Sequence, residues 1–324
     1  MPDVSPVVTV LFPCSQGDRP VIVVRSIVAA AALASVAPGL VPDVSDPSQV
    51  VLSLIFGAIV GFSLGLTGGG GSIFAVPLLV YGLGIRPNEA VGISLAAVGA
   101  TALFGFVQRL RSGEVEVHTG LIFAVAGMAG APIGSWINGQ LPGPLLLLLF
   151  SGLMILVATR MWYKASSKPA DSLAVRAPIE PIPTDEPGPT CRRDPSGRLT
   201  MSTQCALLLA AVGLMTGVLS GLFGVGGGFV IVPALVLFSG MGVHRAVATS
   251  LLVIALIGAS GVFSLLMAGR PLPLGITAQF IVGGLIGMVL GTRLGRHLSG
   301  PLLQKVFAGA ILAVAAYIVL QSLI

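Results

Sequence analysis

Gly61-Phe-Ser-Leu-Gly-Leu-Thr-Gly-Gly-Gly-Gly-Ser-Ile-Phe-Ala-Val-Pro77 recurs, 156 residues further on, as Gly217-Val-Leu-Ser-Gly-Leu-Phe-Gly-Val-Gly-Gly-Gly-Phe-Val-Ile-Val-Pro233. Eight of the seventeen positions are identical, and the two prolines fall in register. The same offset of 156 pairs Ala90-Val91 with Ala246-Val247, Ser94-Leu95 with Ser250-Leu251, and Gly105 with Gly261. After one inserted residue, Gly130 and Gly134 meet Gly287 and Gly291, and Leu141 to Pro144 meets Leu298 to Pro301. Agreement of glycines, serines and prolines over this distance marks a duplication. Duplicated halves are a common plan of secondary transporters.

Composition sets the solvent. The 324 residues are 55% hydrophobic and only 9% charged, with mean hydropathy +1.00. A water-soluble domain carries roughly 25% charged residues, so this chain is a membrane protein. Beyond an opening segment in each half, about 51–82 and 205–240, three ordinary spans follow. They cover about 90–108, 117–137 and 144–163, then 246–267, 276–293 and 301–322. Such runs approach the ~20 residues that cross a hydrocarbon core. The chain therefore divides into an N-terminal extension (1–50), a first repeat (51–163), a linker (164–200) and a second repeat (201–324). In the extension, the apolar stretch Ser26 to Val41 reads as a signal-peptide core or as an extra membrane helix. Pro38 after Ala37 is a poor cleavage context and favours a retained helix. The linker carries seven prolines among mixed charges and is expected to be disordered and cytoplasmic.

The expected fold is an all-α polytopic membrane protein, its homologous halves in an inverted-repeat arrangement. Lysine and arginine counts choose inversion, because cytoplasmic loops are enriched in both. With the linker inside, parallel halves leave Arg86, Arg245, Arg293, Arg296 and Lys305 outside. Inverted halves leave only Arg86 and Arg270 there. Whether the glycine-broken arms cross fully or re-enter stays open. The net charge of +5 sits in loops and sets orientation, so no nucleic-acid partner is expected. Cys14, Cys191 and Cys205 lack CxxC spacing and a nearby histidine cluster, so they are expected to be incidental thiols, with neither a metal site nor a disulfide framework. No cofactor is expected. The partners are the lipid bilayer of the inner (cytoplasmic) membrane and a small anionic substrate; monomer and homodimer both stay open.

Bare backbone at membrane depth survives only when buried in protein or lining a wet cavity. Its N–H groups and a following helix N-terminus form an anion-binding concavity. The candidate substrate-binding residues are accordingly Thr67, Gly68, Gly69, Gly70, Gly71 and Ser72 in the first half. Their counterparts are Gly224, Gly226, Gly227 and Gly228, with hydroxyls from Ser94, Thr249 and Ser250 on neighbouring spans. Pro77, Pro233, Gly130, Gly134, Gly287 and Gly291 are assigned structural roles, and scattered glycines such as Gly57, Gly152 and Gly309 helix packing. None of the twelve acids lies mid-span and none follows Asp194, which disfavours cation coupling through a midplane carboxylate. Catalysis has no Ser/His/Asp set, paired carboxylate or metal cluster to rest on.

Gly-x-Gly-Gly-Gly before a proline, present twice with Gly69 and Ser72 in the first copy where the second has Val225 and Gly228, resembles the sulfite exporter TauE/SafE family of membrane permeases. Ala90–Leu95 and Ala246–Leu251, with Gly130-x-x-x-Gly134-Ser135 and Gly287-x-x-x-Gly291-Thr292, complete the resemblance over about 51–322. It implies transport of small sulfur-containing anions such as sulfite or organosulfonates. A secondary carrier or facilitator is expected; the alternatives are an anion channel on the same scaffold or a transporter of another small anion.

Overall fold

The computed structural model describes residues 47–167, 203–239, 241–270, 272–295 and 300–323. The extension up to residue 46 and the linker over 168–202 lie outside them, as do the expectations placed there. Among the described residues, ten helical elements follow one another in two sets of five. The first set is α1 (Pro47–Thr67), a broken arm α2 (Gly70–Gly82), α3 (Pro87–Leu110), α4 (Val117–Gln140) and α5 (Gly143–Ser167). The second is α6 (Thr203–Phe223), α7 (Gly228–Ser239), α8 (Val243–Met267), α9 (Leu274–Gly295) and α10 (Gly300–Leu323). Among the described residues, seven helices are long and apolar enough to cross a membrane: α1, α3, α4, α5 over Gly143–Arg160, α6, α8 and α9. Large apolar side chains point outward as well as inward. On α4, Leu121, Val125, Met128 and Trp136 are exposed while Phe123, Ala124 and Ala131 are buried. In water such an outer face would be a liability; in lipid it is the solvent contact.

The two sets interlock. α1 of the first half packs along α9 of the second, and α6 of the second along α4 of the first. Small residues make this possible, since lipid tails compete for any apolar surface and helix association rests on close packing. A Cβ on Gly57, Gly61, Gly287 or Gly291 would overlap the carbonyl oxygens of Phe280, Gly284, Ala58 and Phe62 respectively. At the mirrored interface, a Cβ on Gly130, Gly134, Gly217 or Gly221 would overlap the oxygens of Leu214, Val218, Gly127 and Ala131. Contacts run in the same order along α1 and α9, so these helices are parallel. Between them the pairs cross antiparallel at α3 and α8: Gly92 lies by Leu265, Leu95 by Gly261, and Gly99 by Gly258. α5 and α10 pack on each other.

Three expectations meet a different structure. At Gly152 and Gly309 an added Cβ meets nothing within 4 Å, so these two glycines do not serve packing; only Gly57 of that group does. Cys205, fully buried in α6, is disulfide-bonded, where an incidental thiol was expected. The other two cysteines, Cys14 and Cys191, lie outside the described residues. Finally, the aligned prolines sit differently. Pro77 is buried and its arm breaks into a 3-10 turn, a short α-helix and a π-helical turn over Leu78–Gly82. Pro233 is exposed inside the unbroken helix α7.

Candidate functional site

Each glycine run ends a helix. α1 stops at Thr67 because Gly68 turns to φ +74°, its amide donating to Leu64 O at 2.7 Å. α6 stops at Phe223 in the same way: Gly224 has φ +72° and its amide donates to Ser220 O at 2.8 Å. Only glycine takes this left-handed turn without a conformational cost. Each turn is then held from the other half. Ser250 Oγ on α8 donates to Gly68 O at 2.6 Å, and Ser94 Oγ on α3 donates to Gly224 O at 2.5 Å. Ser94 and Ser250 are repeat equivalents and both are fully buried. So are their neighbours' roles: a Cβ on Gly68 would lie 2.9 Å from Val247 Cα, and one on Gly224 2.7 Å from Val91 Cα.

The two loops meet. A Cβ at Gly69 would lie 2.5 Å from Gly228 Cα, and the reverse is equally close. Most of the hydroxyls assigned to a substrate are already spent on the protein. Thr67 Oγ1 donates to Ser63 O at 2.8 Å and accepts from the Gly71 amide at 3.2 Å. Ser72 Oγ donates to Gly69 O at 2.7 Å. Thr249 Oγ1 accepts from the Glu116 amide at 3.0 Å, which ties the loop after α3 to α8 and not to the glycines. Gly71 packs against α1, where a Cβ would overlap Ser63. Gly70 alone in the first run has room, with Thr67 Oγ1 at 3.3 Å as its nearest neighbour.

What remains free is backbone. Among the described residues, the amides of Gly69, Gly70, Gly226 and Gly227 have no acceptor in the protein. Buried amides are almost always paired, so these four donors are left for water or a ligand. Two hydroxyls near the second loop are buried without a partner as well: Ser220 on α6 and Ser135 on α4. Neither was assigned a role from the sequence: Ser220 aligns with Leu64 and so has no hydroxyl in the other repeat, while Ser135 aligns with Thr292 outside the glycine runs. Also overlooked were Arg109, which reaches Gly65 O at 3.4 Å, and Asn138, whose Nδ2 donates to Leu222 O at 2.8 Å. Both serve carbonyls at the ends of α1 and α6, where a positive or donor group complements the helix dipole. The one signal that could have found them is their place, polar residues near the ends of glycine-rich spans.

A cavity of about 450 Å³ opens at the end of the molecule where α3 begins and α8 finishes, between Arg86, Asn88, Glu89, Gly92 and Arg270. Arg86 pairs with Glu89. At the opposite end, Arg245 on α8 pairs with Glu116 at 3.6 Å. Among the described residues no group of three or more His, Cys, Asp or Glu side chains is placed to hold a metal ion.

Membrane-length helices around two paired, glycine-broken hairpins define a multi-pass membrane protein, and comparison with known proteins makes it a transporter. The family model for Sulfite exporter TauE/SafE matches residues 53–318, and the chain belongs to that family. Similar proteins include a "Probable membrane transporter protein" of Xylella fastidiosa (strain 9a5c), 37% identical over 279 residues, 85% of this chain and 96% of the relative. The "Probable membrane transporter protein YunE" of Bacillus subtilis (strain 168) is 26% identical over 280 residues, covering 84% and 98%. No solved structure matches.

Proposed function

We propose that this transporter carries a small sulfur-containing oxyanion, of the sulfite or organosulfonate class, held by backbone donors where the two glycine loops meet. The observation that carries this reading is the set of unpaired amides at Gly69, Gly70, Gly226 and Gly227 beside the unpartnered hydroxyl of Ser220. Oriented N–H groups without an opposing side-chain charge bind an oxyanion while leaving it able to depart. Supporting this, α7 points its N-terminus, at Gly228, into the same place.

We further propose an inner-membrane location, with the repeats inverted and the loop after α3 in the cytoplasm. The antiparallel crossing of the equivalent helices α3 and α8 supports inversion, and the basic residues support the orientation. Single cysteines placed in 111–116 should resist impermeant thiol reagents in intact cells, whereas cysteines beside Arg86 should react. The reverse pattern sinks the orientation.

The binding test uses Gly70→Ala, since a Cβ there meets no backbone and φ is not left-handed. Titration of purified protein with sulfite, sulfate, ethanesulfonate and thiosulfate should show affinity falling about tenfold, equivalent to about 1.4 kcal/mol, while the melting temperature changes little. An unchanged affinity removes the loops from the site. Saturable counterflow in liposomes separates a carrier from a channel.

A further inference from the structure

We propose that the mouth between the start of α3, the end of α4 and the end of α8 is a capture site for small oxyanions, with Arg270 as its recognising group. It is distinct from the glycine loops, though it rests on the same reading of the substrate as an anion.

Arg270 lines the cavity and is half-buried. Among the described residues no carboxylate lies within ion-pair distance of it, and its hydrogen bond within the protein runs from Nη1 to Asn138 Oδ1 at 3.2 Å. A guanidinium offers five N–H donors in a planar fork suited to two oxygens at once. Partial burial of an uncompensated charge is unfavourable, and an arriving anion relieves it. The group is also positioned. It lies across α4 at Gly139, where any Cβ would overlap Nη2. Asn138, fully buried, holds it through Oδ1 and is itself fixed by donating from Nδ2 to Leu222 O. Arg86 is cancelled by Glu89, so the charge of this cluster is that of Arg270.

Gly92 on the cavity wall follows Val91, which packs against Gly224 of the second loop. The opposite mouth lacks the device: the repeat offset places Glu114 where Arg270 stands and Arg245 where Glu89 stands, and Arg245 is engaged with Glu116. Capture is therefore one-sided.

The test measures binding of sulfite, sulfate and ethanesulfonate to the full-length protein by calorimetry, then sulfite flux in proteoliposomes from each side. Arg270→Gln should weaken binding about tenfold and raise KM about tenfold for entry at the Arg86 mouth, leaving kcat and the KM from the other side within about twofold. Arg270→Lys should recover part of the loss, keeping charge without the fork. Asn138→Ala serves as the tether control. If it and Arg270→Gln lower the melting temperature alike while neither changes binding or KM, Arg270 is only a brace and the proposal fails. A lipid phosphate as occupant shows as competition by phosphatidylglycerol in phosphatidylcholine vesicles, lost in Arg270→Gln, with no heat from the free anions; that also overturns it. Failure of the glycine-loop reading is visible separately, as Gly70→Ala leaving both sides unaltered.

Discussion

The two glycine loops reach the same position by different chemistry. In the second loop, Gly224, Gly226 and Gly227 all adopt left-handed backbone, at φ +72°, +68° and +66°, and α7 starts directly at Gly228. In the first loop only Gly68 does, at φ +74°, and the 3-10 turn from Gly70 that follows is pinned by Thr67 Oγ1 and Ser72 Oγ. One loop is shaped by what its residues lack, the other by hydroxyls that bond back to the chain. What both share is the single left-handed glycine against a valine of the opposite half and the serine that grips its carbonyl. Those shared features set where the loops meet; the rest is free to drift between repeats.

Replacing the shared glycine should do the most damage. Gly68→Ala and Gly224→Ala each combine a left-handed backbone cost of about 1–2 kcal/mol with overpacking of about 1–3 kcal/mol. Thermal unfolding in detergent should show both variants strongly destabilised and by similar amounts. A tolerated substitution at one of them would mean the loops are not equivalent. Next come the anchoring serines. Ser94→Ala or Ser250→Ala leaves a buried carbonyl unpaired, costing about 1–3 kcal/mol, and the pair should again match. A large asymmetry there would show that one half alone fixes the geometry.

The non-shared positions sharpen the contrast. Gly226→Ala should lose about 1–2 kcal/mol to its left-handed backbone, whereas Gly70→Ala should lower the melting temperature much less, because its backbone is ordinary and its Cβ meets only the Thr67 side chain, at 3.3 Å. Equal losses would erase the distinction between the two loop chemistries. The smallest effect is expected at Gly152→Ala, where nothing lies within 4 Å; alanine's better helix propensity makes that change neutral or slightly stabilising.

The membrane class, the helical content and the repeat itself were legible in the chain, because hydropathy and glycine spacing are local properties that any reader of Gly61 to Pro77 and Gly217 to Pro233 can compare. The spans from Pro87 and Val243 onward fall within a few residues of their expected limits. The roles of the site residues were not legible. Thr67, Ser72, Ser94 and Ser250 looked like donors for a ligand, yet each spends its proton on a carbonyl of the protein. Among the described residues the donors left over around the loops are backbone amides and the hydroxyls of Ser220 and Ser135, which no pattern of residue types distinguishes from their neighbours. Tertiary structure decided this through the interlocking of the halves: α1 lies on α9 and α6 on α4, so the serines that grip the Gly224 and Gly68 carbonyls come from 130 and 182 residues away in the chain. A hydrogen bond has one proton to give, and only the packed structure determines whether a carbonyl or a substrate receives it.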